Sequence, residues 1–377
     1  MLVGVDASRV QAEGGTGTEA YSLSLIRELL RLGAPHRFRL YFREGEAVRL
    51  FAPDPARWEA RVIPFPRLWT HVRLSWEMVR CPPDALFVPA HVLPLVHPRR
   101  SVVTVHDLGY LRFPEAHPPF ERWYLDWSTR FNGRAAARVL ALSETTRDDL
   151  VRHYGVPPEK VRVVYPGLRD GMAPVEDEGR IRDVLARYGV RQPYFLYVGT
   201  LKPRKNLLRL VRAYARFAAE EHGDGARPLL VLAGKPGWQH EALVREVERL
   251  GLAGTVVFPG YVEDADLPAL YTGALAFVFP SLYEGFGLPL VEAMACGTPV
   301  VASRTSACGE VAGDAALLVD PLSEEEIAGA LAQVARDADL RAALAARGRE
   351  RARAFSWERA AREVLDVLTS LADNLSA

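Results

Sequence analysis

The stretch Phe279–Ser303, FPSLYEGFGLPLVEAMACGTPVVAS, decides the fold. The run Ala276–Phe279 is short, apolar and rich in residues that favour strands, so it reads as a buried strand. It feeds a loop that carries Gly285 and Gly287. Pro289 suits the first turn of a helix, where its missing N–H costs nothing. The helix runs to Ala295, Gly297 stops it, and Pro299–Ala302 opens the next strand. Strand, glycine-bearing loop, helix and strand make one parallel βαβ unit. The start of such a helix presents free N–H groups and the positive end of the helix dipole, which favours a phosphate. Glu284 lies in the loop and Glu292 about one turn into the helix, with seven residues between them.

The same alternation extends in both directions. Strands are expected at Leu2–Asp6, Phe38–Phe42, Ala60–Ile63, Ala85–Val88, Val102–His106, Arg138–Leu142 and Val161–Val164, then at Tyr194–Val198, Leu229–Ala233, Thr255–Phe258, Ala276–Phe279, Pro299–Ala302 and Ala316–Val319. Helical patterns fall between them, as at Ala20–Leu32, Thr145–His153, Leu207–Glu221, Gln239–Leu250 and Glu324–Ala335. Continuous apolar strands between helices imply α/β architecture, with parallel sheets covered on both faces. The acidic, aperiodic stretch Asp170–Arg180 reads as a linker between two doubly wound, Rossmann-like domains facing a cleft. Their expected bounds are residues 1–170 and 171–355. Residues 356–377 form a C-terminal helix, capped by Ser356, that is expected to cross back to the first domain.

Three more segments place polar residues at strand ends, where a doubly wound sheet binds its ligand. In Tyr194–Asn206, YFLYVGTLKPRKN, a strand ends at Gly199 and a short loop delivers Lys202, Arg204 and Lys205. In Val102–Leu108, VVTVHDL, His106 and Asp107 sit at a strand end; Asp107 also has the form of a loop-ordering residue. In Gly14–Ala20, GGTGTEA, the text of a dinucleotide fingerprint is present, but a loop separates it from the first strand, so an NAD site is rejected. Gly15 and Gly17 remain candidates for presenting backbone N–H groups to a phosphate or an acceptor. Weaker candidates are Lys235 in AGKPGW and Tyr261 and Val262 after the strand Thr255–Phe258. Ser143–Glu144 reads as a helix cap. Pro66–Arg80, PRLWTHVRLSWEMVR, mixes Arg with Trp69 and Trp76 and reads chiefly as a partly buried surface helix, with an interfacial or acceptor-binding helix as the alternative.

The pair Glu284–Glu292, set on strand, glycine loop and helix, resembles the E-x7-E motif of retaining glycosyltransferases of the two-Rossmann-domain (GT-B) type, in particular glycosyltransferase family 4. The resemblance covers nearly the whole chain, from VDAS near the start to the C-terminal helix. It implies that Glu284 faces the donor sugar and that Glu292 takes the ribose hydroxyls. It also implies that the backbone of Phe286, Gly287 and Leu288 contacts the sugar or its phosphate. Arg204 and Lys205 then neutralise the leaving diphosphate, His106 contacts the donor sugar's hydroxyls, and Tyr261 and Val262 bracket the base. Some members carry an Arg directly after the glycine; here that position is Thr200. The expected reaction moves a hexose, mannose foremost, from a nucleotide diphosphate sugar to an acceptor hydroxyl in cell-surface glycan or glycolipid synthesis. The donor would be GDP-mannose or UDP-glucose, and the acceptor a glycan, glycolipid or polyol. No Asp-x-Asp segment is read as a metal motif, so no metal or other cofactor is expected to be required. Two other readings stay open: a nucleotide-sugar epimerase of the same architecture, and a non-catalytic module that binds glycan or nucleotide.

Composition narrows the classes. The 377 residues are 49% hydrophobic and 25% charged, which excludes a disordered chain. Lys plus Arg and Asp plus Glu both total 47, so no basic excess points to nucleic acid. The zero hides a first stretch, residues 1–170, with 24 cations against 19 anions, and a remainder with the opposite imbalance. A basic first domain suits contact with an acidic acceptor or a membrane surface. Only Lys160, Lys202, Lys205 and Lys235 are lysine. Three cysteines without a framework suit a reducing cytosol, and neither a signal peptide nor a membrane span is legible. The expected location is cytoplasmic, peripheral at the inner membrane face.

Overall fold

The computed structural model describes residues 1–10, 17–90, 92–220, 227–237 and 240–373. Its apolar runs pair into two all-parallel sheets. The first comprises β1 (Leu2–Asp6), β2 (Arg37–Phe42), β3 (Trp58–Val62), β4 (Ala85–Val88), β5 (Ser101–Val105), β6 (Arg138–Ala141) and β7 (Val161–Val163), in the order β3-β2-β1-β4-β5-β6-β7. The second comprises β8 (Tyr194–Val198), β9 (Leu229–Ala233), β10 (Val256–Gly260), β11 (Ala276–Phe279), β12 (Val300–Ser303) and β13 (Ala316–Val319), in the order β10-β9-β8-β11-β12-β13. Both orders reverse direction once, between β1 and β4 and between β8 and β11. Such a reversal leaves a crevice at the carboxyl ends of the two flanking strands.

The chain divides into two compact units, Met1–Gly167 with Ser356–Ala377, and Leu168–Phe355. The C-terminal helix Trp357–Asp373 packs on the helix Gly17–Leu32 of the first unit. Ala361, Val364 and Leu368 are fully buried there, as are Leu25, Ile26 and Leu29. Each large apolar side chain so buried contributes roughly 1.5–3 kcal/mol. Ser356 caps this helix by accepting from the Arg359 N–H at 3.2 Å. Among the described residues no helix is long and apolar enough to cross a membrane.

Several boundaries differ from the sequence reading. The stretch Asp170–Arg180 is not linker to its end, because a helix begins at Glu178. Asp177 caps it, accepting from the N–H groups of Gly179 and Arg180 at 2.8 and 3.1 Å. Two of the acidic residues that look like linker, Asp177 and Glu178, are in fact the cap and a first-turn residue. The helix placed at Ala20–Leu32 begins at Gly17, with Glu19 in its first turn. Pro66–Arg80 is not one regular surface helix. A π-helical segment, Trp69–Leu74, precedes a short α-helix, Ser75–Arg80, and Leu68 enters it with a left-handed φ of 54°. The helix Pro119–Ala135 escaped the apolar-stripe test because its pattern is inverted. Phe120 and Trp123 are exposed, whereas Thr129 and Asn132 are buried. Their polar atoms are satisfied by the Tyr110 hydroxyl at 2.9 Å and the Leu93 N–H at 3.1 Å.

At the carboxyl edge of the second sheet, two glycines let adjacent loops touch. Gly234 follows β9 with φ of 144°, and a Cβ there would lie 2.1 Å from the Gly199 carbonyl oxygen. The Gly234→Ala variant is therefore expected to cost on the order of 1–3 kcal/mol through strain and overlap. Scanning calorimetry should show a melting temperature lowered by several degrees, at ~2–4 °C per kcal/mol for a unit of this size. An unchanged melting temperature would show that the loops separate freely.

Candidate functional site

The second unit builds its site from the loops that follow β8 and β11, the two strands flanking the reversal. The loop after β8 turns through a 3-10 segment, Pro203–Lys205, and carries Arg204 and Lys205. The loop after β11 carries Glu284. Backbone ties the two loops directly: the Leu282 N–H donates to the Arg204 carbonyl at 2.9 Å. Asn206 reinforces the tie, its Nδ2 donating to the carbonyls of Pro280 (3.0 Å) and Pro321 (2.6 Å).

Glu284 is buried, and both of its carboxylate oxygens are taken by cations. Arg204 Nη1 donates to Oε2 at 3.1 Å and also to the Tyr283 carbonyl at 3.0 Å. Lys205 Nζ donates to Oε1 and stands 5.1 Å from the Phe279 ring centroid. Burial alone would raise the Glu284 pKa, but Lys205 and Arg204 outweigh it, and the net direction is down. Burial lowers the Lys205 pKa, with the Glu284 carboxylate opposing that effect. Glu284 is thus held ionised, and two cations against one carboxylate leave a local excess of one positive charge. An ammonium carries three donors and a guanidinium five, so contact with Glu284 leaves donors for a second anion.

Glu292 occupies a different environment. It projects from the helix Leu288–Ala295 and is buried. The Tyr271 hydroxyl donates to its Oε2 at 3.1 Å, and Arg169 Nη2 stands 3.2 Å from its Oε1. Arg169 also pairs with Asp264 at 2.5 Å. Burial dominates here and raises the Glu292 pKa, although Arg169 and Tyr271 oppose it. The two carboxyl groups of one motif are therefore shifted in opposite directions.

The remaining candidates of this unit are distributed around the same sheet edge. Gly287 caps the helix Leu288–Ala295 with φ of 99°, in the left-handed region that suits glycine. Leu288 is the first residue of that helix, and Phe286 is buried edge-on against Phe355 at 5.4 Å. Lys235 Nζ lies 4.8 Å from the centroid of the half-exposed Tyr261 ring, while Val262 is buried. Gly199 ends β8, close to Gly234. Lys202 is exposed and lines a separate small cavity with Arg209 and Arg212, away from Glu284.

In the first unit, His106 follows β5. Its Nε2 stands 2.8 Å from the Pro89 carbonyl, and its ring packs edge-on against Tyr21 at 4.8 Å. The carbonyl can only accept, so Nε2 carries the proton and Nδ1 of the neutral ring is an acceptor. Burial lowers the His106 pKa, so the ring is neutral at neutral pH. Asp107 orders its own loop, accepting from the Gly109 N–H at 2.9 Å. Ser143 caps a helix, accepting from the Thr146 N–H at 3.0 Å. Gly17 stands at a helix start with open space where a Cβ would be. Gly15 lies outside the described residues.

Four contributors escaped the sequence reading: Arg169, Tyr271, Asn206 and Ser306. Ser306 Oγ accepts from the Glu284 N–H at 3.1 Å. Asn206 and Ser306 both adopt left-handed backbone, φ 63° and 55°. Such conformations cost about 1–3 kcal/mol outside glycine and gather at functional sites.

Two all-parallel Rossmann-like sheets, with this cluster at the switch point of one of them, define a nucleotide-handling α/β protein of the GT-B class. Comparison with known proteins gives the family. Residues 184–351 match the family model described as glycosyl transferases group 1, and residues 15–170 match that of glycosyltransferase family 4. The O-antigen chain mannosyltransferase B of Escherichia coli is 36% identical over 269 residues, which span 71% of this chain and 70% of that protein. A solved glycosyltransferase from Rickettsia africae superposes with a TM-score of 0.75 at 16% identity, covering 99% of both chains. Anabaena HepE in complex with UDP-glucose superposes with a TM-score of 0.74 at 19% identity, covering 98% of this chain and 100% of that one. At these identities the two structures speak for the fold alone. The chain belongs to the family 4 type of GT-B glycosyltransferases, and it is an enzyme of that class.

The opposed shifts predict opposed stability effects. Glu284 has a lowered folded pKa, so its contribution is present above its unfolded value near 4.5 and fades as pH falls through the folded value. Glu292 has a raised folded pKa, so its ionised form is a burden above that value, relieved as pH falls toward 4.5. At pH 7, Glu284→Gln is expected to lower the melting temperature by several degrees, because it leaves two partly buried cations without their carboxylate. Glu292→Gln is expected to leave it level or raise it. The reverse order of melting temperatures would refute the assignment of charge states.

Proposed function

We propose that this enzyme transfers a mannosyl group from a nucleotide diphosphate sugar to a glycan hydroxyl with retention at the anomeric carbon. The observation that carries the reading is the cation pair Arg204 and Lys205, fixed against Glu284 at the switch point. Mannose is favoured because the E. coli relative is a mannosyltransferase by name, and GDP-mannose is therefore preferred to UDP-glucose. In this scheme the bond from the anomeric carbon to the diphosphate oxygen breaks as the acceptor oxygen bonds on the same face. The acceptor's proton passes to the departing phosphate oxygen. Arg204, Lys205 and the N–H groups at Gly287 and Leu288 meet the developing negative charge, supplying electrostatic stabilisation without a divalent cation. Glu284, ionised, faces the positive charge that grows on the sugar ring. Glu292 takes the ribose hydroxyls, Lys235 and Tyr261 flank the nucleotide, and His106 accepts from a sugar hydroxyl through Nδ1. In this reading the second unit holds the donor's nucleotide, and the first unit supplies His106 to the donor sugar and takes the acceptor.

We further propose that the first unit rests on a membrane surface at the cytoplasmic face. Leu68, Val72, Trp76 and Val79 are all about half exposed or more, and they recur every three or four residues along one face. Arg67 and Arg80 stand at the two ends of this row. Apolar side chains beside arginines suit an interface of acyl chains and anionic headgroups.

Incubation with GDP-mannose and a lipid-linked or soluble mannoside should yield an α-mannosylated product that is insensitive to chelator. Glu284→Gln should cut turnover by about 10²–10³, and Glu292→Gln should weaken nucleotide binding by roughly tenfold or more. Loss of turnover in chelator, restored by Mg²⁺ or Mn²⁺, would reject the metal-free scheme. Free nucleotide with an epimerised sugar and no need for acceptor would favour the epimerase. Sedimentation with vesicles containing anionic lipid should capture the parent protein, and the double variant Trp76→Ser, Val79→Ser should remain in the supernatant. Equal capture of both would remove this face from consideration.

A further inference from the structure

Arg169 joins two elements of the second unit that the sheet keeps apart. It is the second residue of that unit, and the Leu168 N–H before it donates to the Phe355 carbonyl at 3.1 Å, which holds its backbone in place. Its guanidinium reaches Glu292 Oε1 at 3.2 Å through Nη2 and Asp264 Oδ1 at 2.5 Å through Nη1. Glu292 stands on the helix Leu288–Ala295, which follows β11, whereas Asp264 lies two residues beyond Val262 in the segment that follows β10. Strands β8 and β9 separate β10 from β11 in the sheet, so no strand pairing holds the two segments in register.

Stability does not explain this bridge, because the attraction within a buried ion pair is often no larger than the cost of taking its charges out of water. The two partners differ in access: the Glu292 side chain is 3% exposed and that of Arg169 39%. A ligand that reaches Glu292 therefore meets the Arg169 guanidinium beside it. A carboxylate offers about four lone-pair sites and a guanidinium five N–H donors. Tyr271 and Arg169 take one site on each Glu292 oxygen, and Arg169 uses one donor on Glu292 and one on Asp264. These contacts leave acceptors on Glu292 next to donors on Arg169. Burial raises the Glu292 pKa and Arg169 opposes it, which favours the form that only accepts.

A hydroxyl both donates and accepts, so a vicinal diol satisfies a carboxylate and a guanidinium together, whereas a methylene satisfies neither. A site built this way rejects the analogue that lacks the hydroxyls, because its own polar groups are then left unpaired. We propose that Arg169 determines specificity for a ribonucleotide donor: its guanidinium donates to the ribose hydroxyls whose protons Glu292 accepts, and Asp264 ties this pair to the segment that flanks the base. The proposal rests on the reading in which Glu292 takes the ribose, and it adds a second reader and a link between recognition of the ribose and of the base.

The test titrates the full chain by calorimetry with GDP and 2′,3′-dideoxy-GDP, which share base and diphosphate. The matched uridine pair is run alongside, so that the ratio of Kd values is read on whichever base binds. The parent should prefer the ribonucleotide by about tenfold or more, as expected for hydrogen bonds to charged groups. Arg169→Gln should lower this ratio at least about threefold, wholly through weaker ribonucleotide binding, with the dideoxy Kd within about twofold of the parent's. Arg169→Lys keeps a charged donor and should retain a higher ratio than Arg169→Gln. Asp264→Asn, at an exposed position, should lower the ratio about two- to threefold. An unchanged ratio in Arg169→Gln or in Asp264→Asn, or equal weakening of both nucleotides by Arg169→Gln, would overturn the proposal; should Arg169→Gln fail to fold, Asp264→Asn decides it. Glu292→Gln is titrated in parallel. A parent indifferent to the ribose hydroxyls, or a Glu292→Gln variant with the parent's ratio, would overturn the ribose reading itself, whereas a ratio that depends on Glu292 but not on Arg169 would overturn the role of Arg169 alone.

Discussion

One buried carboxylate shared by two cations organises the second unit. Glu284 draws Lys205 and Arg204 from the loop after β8 to the loop after β11, across the point where the sheet reverses its strand order. A buried carboxylate without partners would be forced toward its neutral form. With two partners it stays charged, and the loops that supply the charges cannot move independently. Asn206, in the first of these loops, and Ser306, which follows β12 and binds the second, adopt backbone conformations that non-glycine residues seldom do. The strain there is sustained by hydrogen bonds to Pro280, Pro321 and Glu284.

The two glutamates of the motif illustrate how environment divides labour between identical side chains. Glu284 is surrounded by an excess of positive charge, and Glu292 by apolar core, one tyrosine and one arginine already engaged with Asp264. Pairs of titratable groups pushed apart in this way commonly serve distinct roles. A carboxylate held below its usual pKa by two cations suits electrostatic work near a reacting carbon. A carboxylate with raised pKa, anchored on a rigid helix, suits recognition of hydroxyl groups.

Much of this was legible in the sequence. The central strands, such as β4, β5, β8, β9, β11 and β12, coincide with short apolar runs, because parallel strands buried on both faces must be apolar, whereas the edge strand β3 (WEARV) is charged and largely exposed. Arg204, Lys205 and Glu284 stood out because charged residues immediately after such runs fall at the ligand edge of the sheet. Arg169, Tyr271 and Ser306 did not stand out. Tyr271 looks like one more core aromatic, and only the fold shows its hydroxyl aimed at Glu292. Arg169 is one of many arginines, beside a stretch that resembles a linker. Ser306 matters through a backbone angle that no composition reveals. The helix Pro119–Ala135 was missed for the opposite reason, since a helix that buries Asn and Thr and exposes Phe and Trp defeats a search for apolar stripes.

The return of the helix Trp357–Asp373 to the first unit has a consequence for synthesis. Gly167 has no side chain because a Cβ there would sit 2.2 Å from the Trp357 nitrogen, so the late helix docks tightly on residues made much earlier. Translation delivers Leu168–Phe355 before that helix leaves the ribosome. The leading unit therefore cannot complete its packing until the last helix is available, although its strands are made first. The second unit is closed by residues of its own span, while the first waits with the surface of Gly17–Leu32 uncovered. Until Trp357–Asp373 is released, the first unit thus keeps the face of Gly17–Leu32 uncovered and open to chaperones.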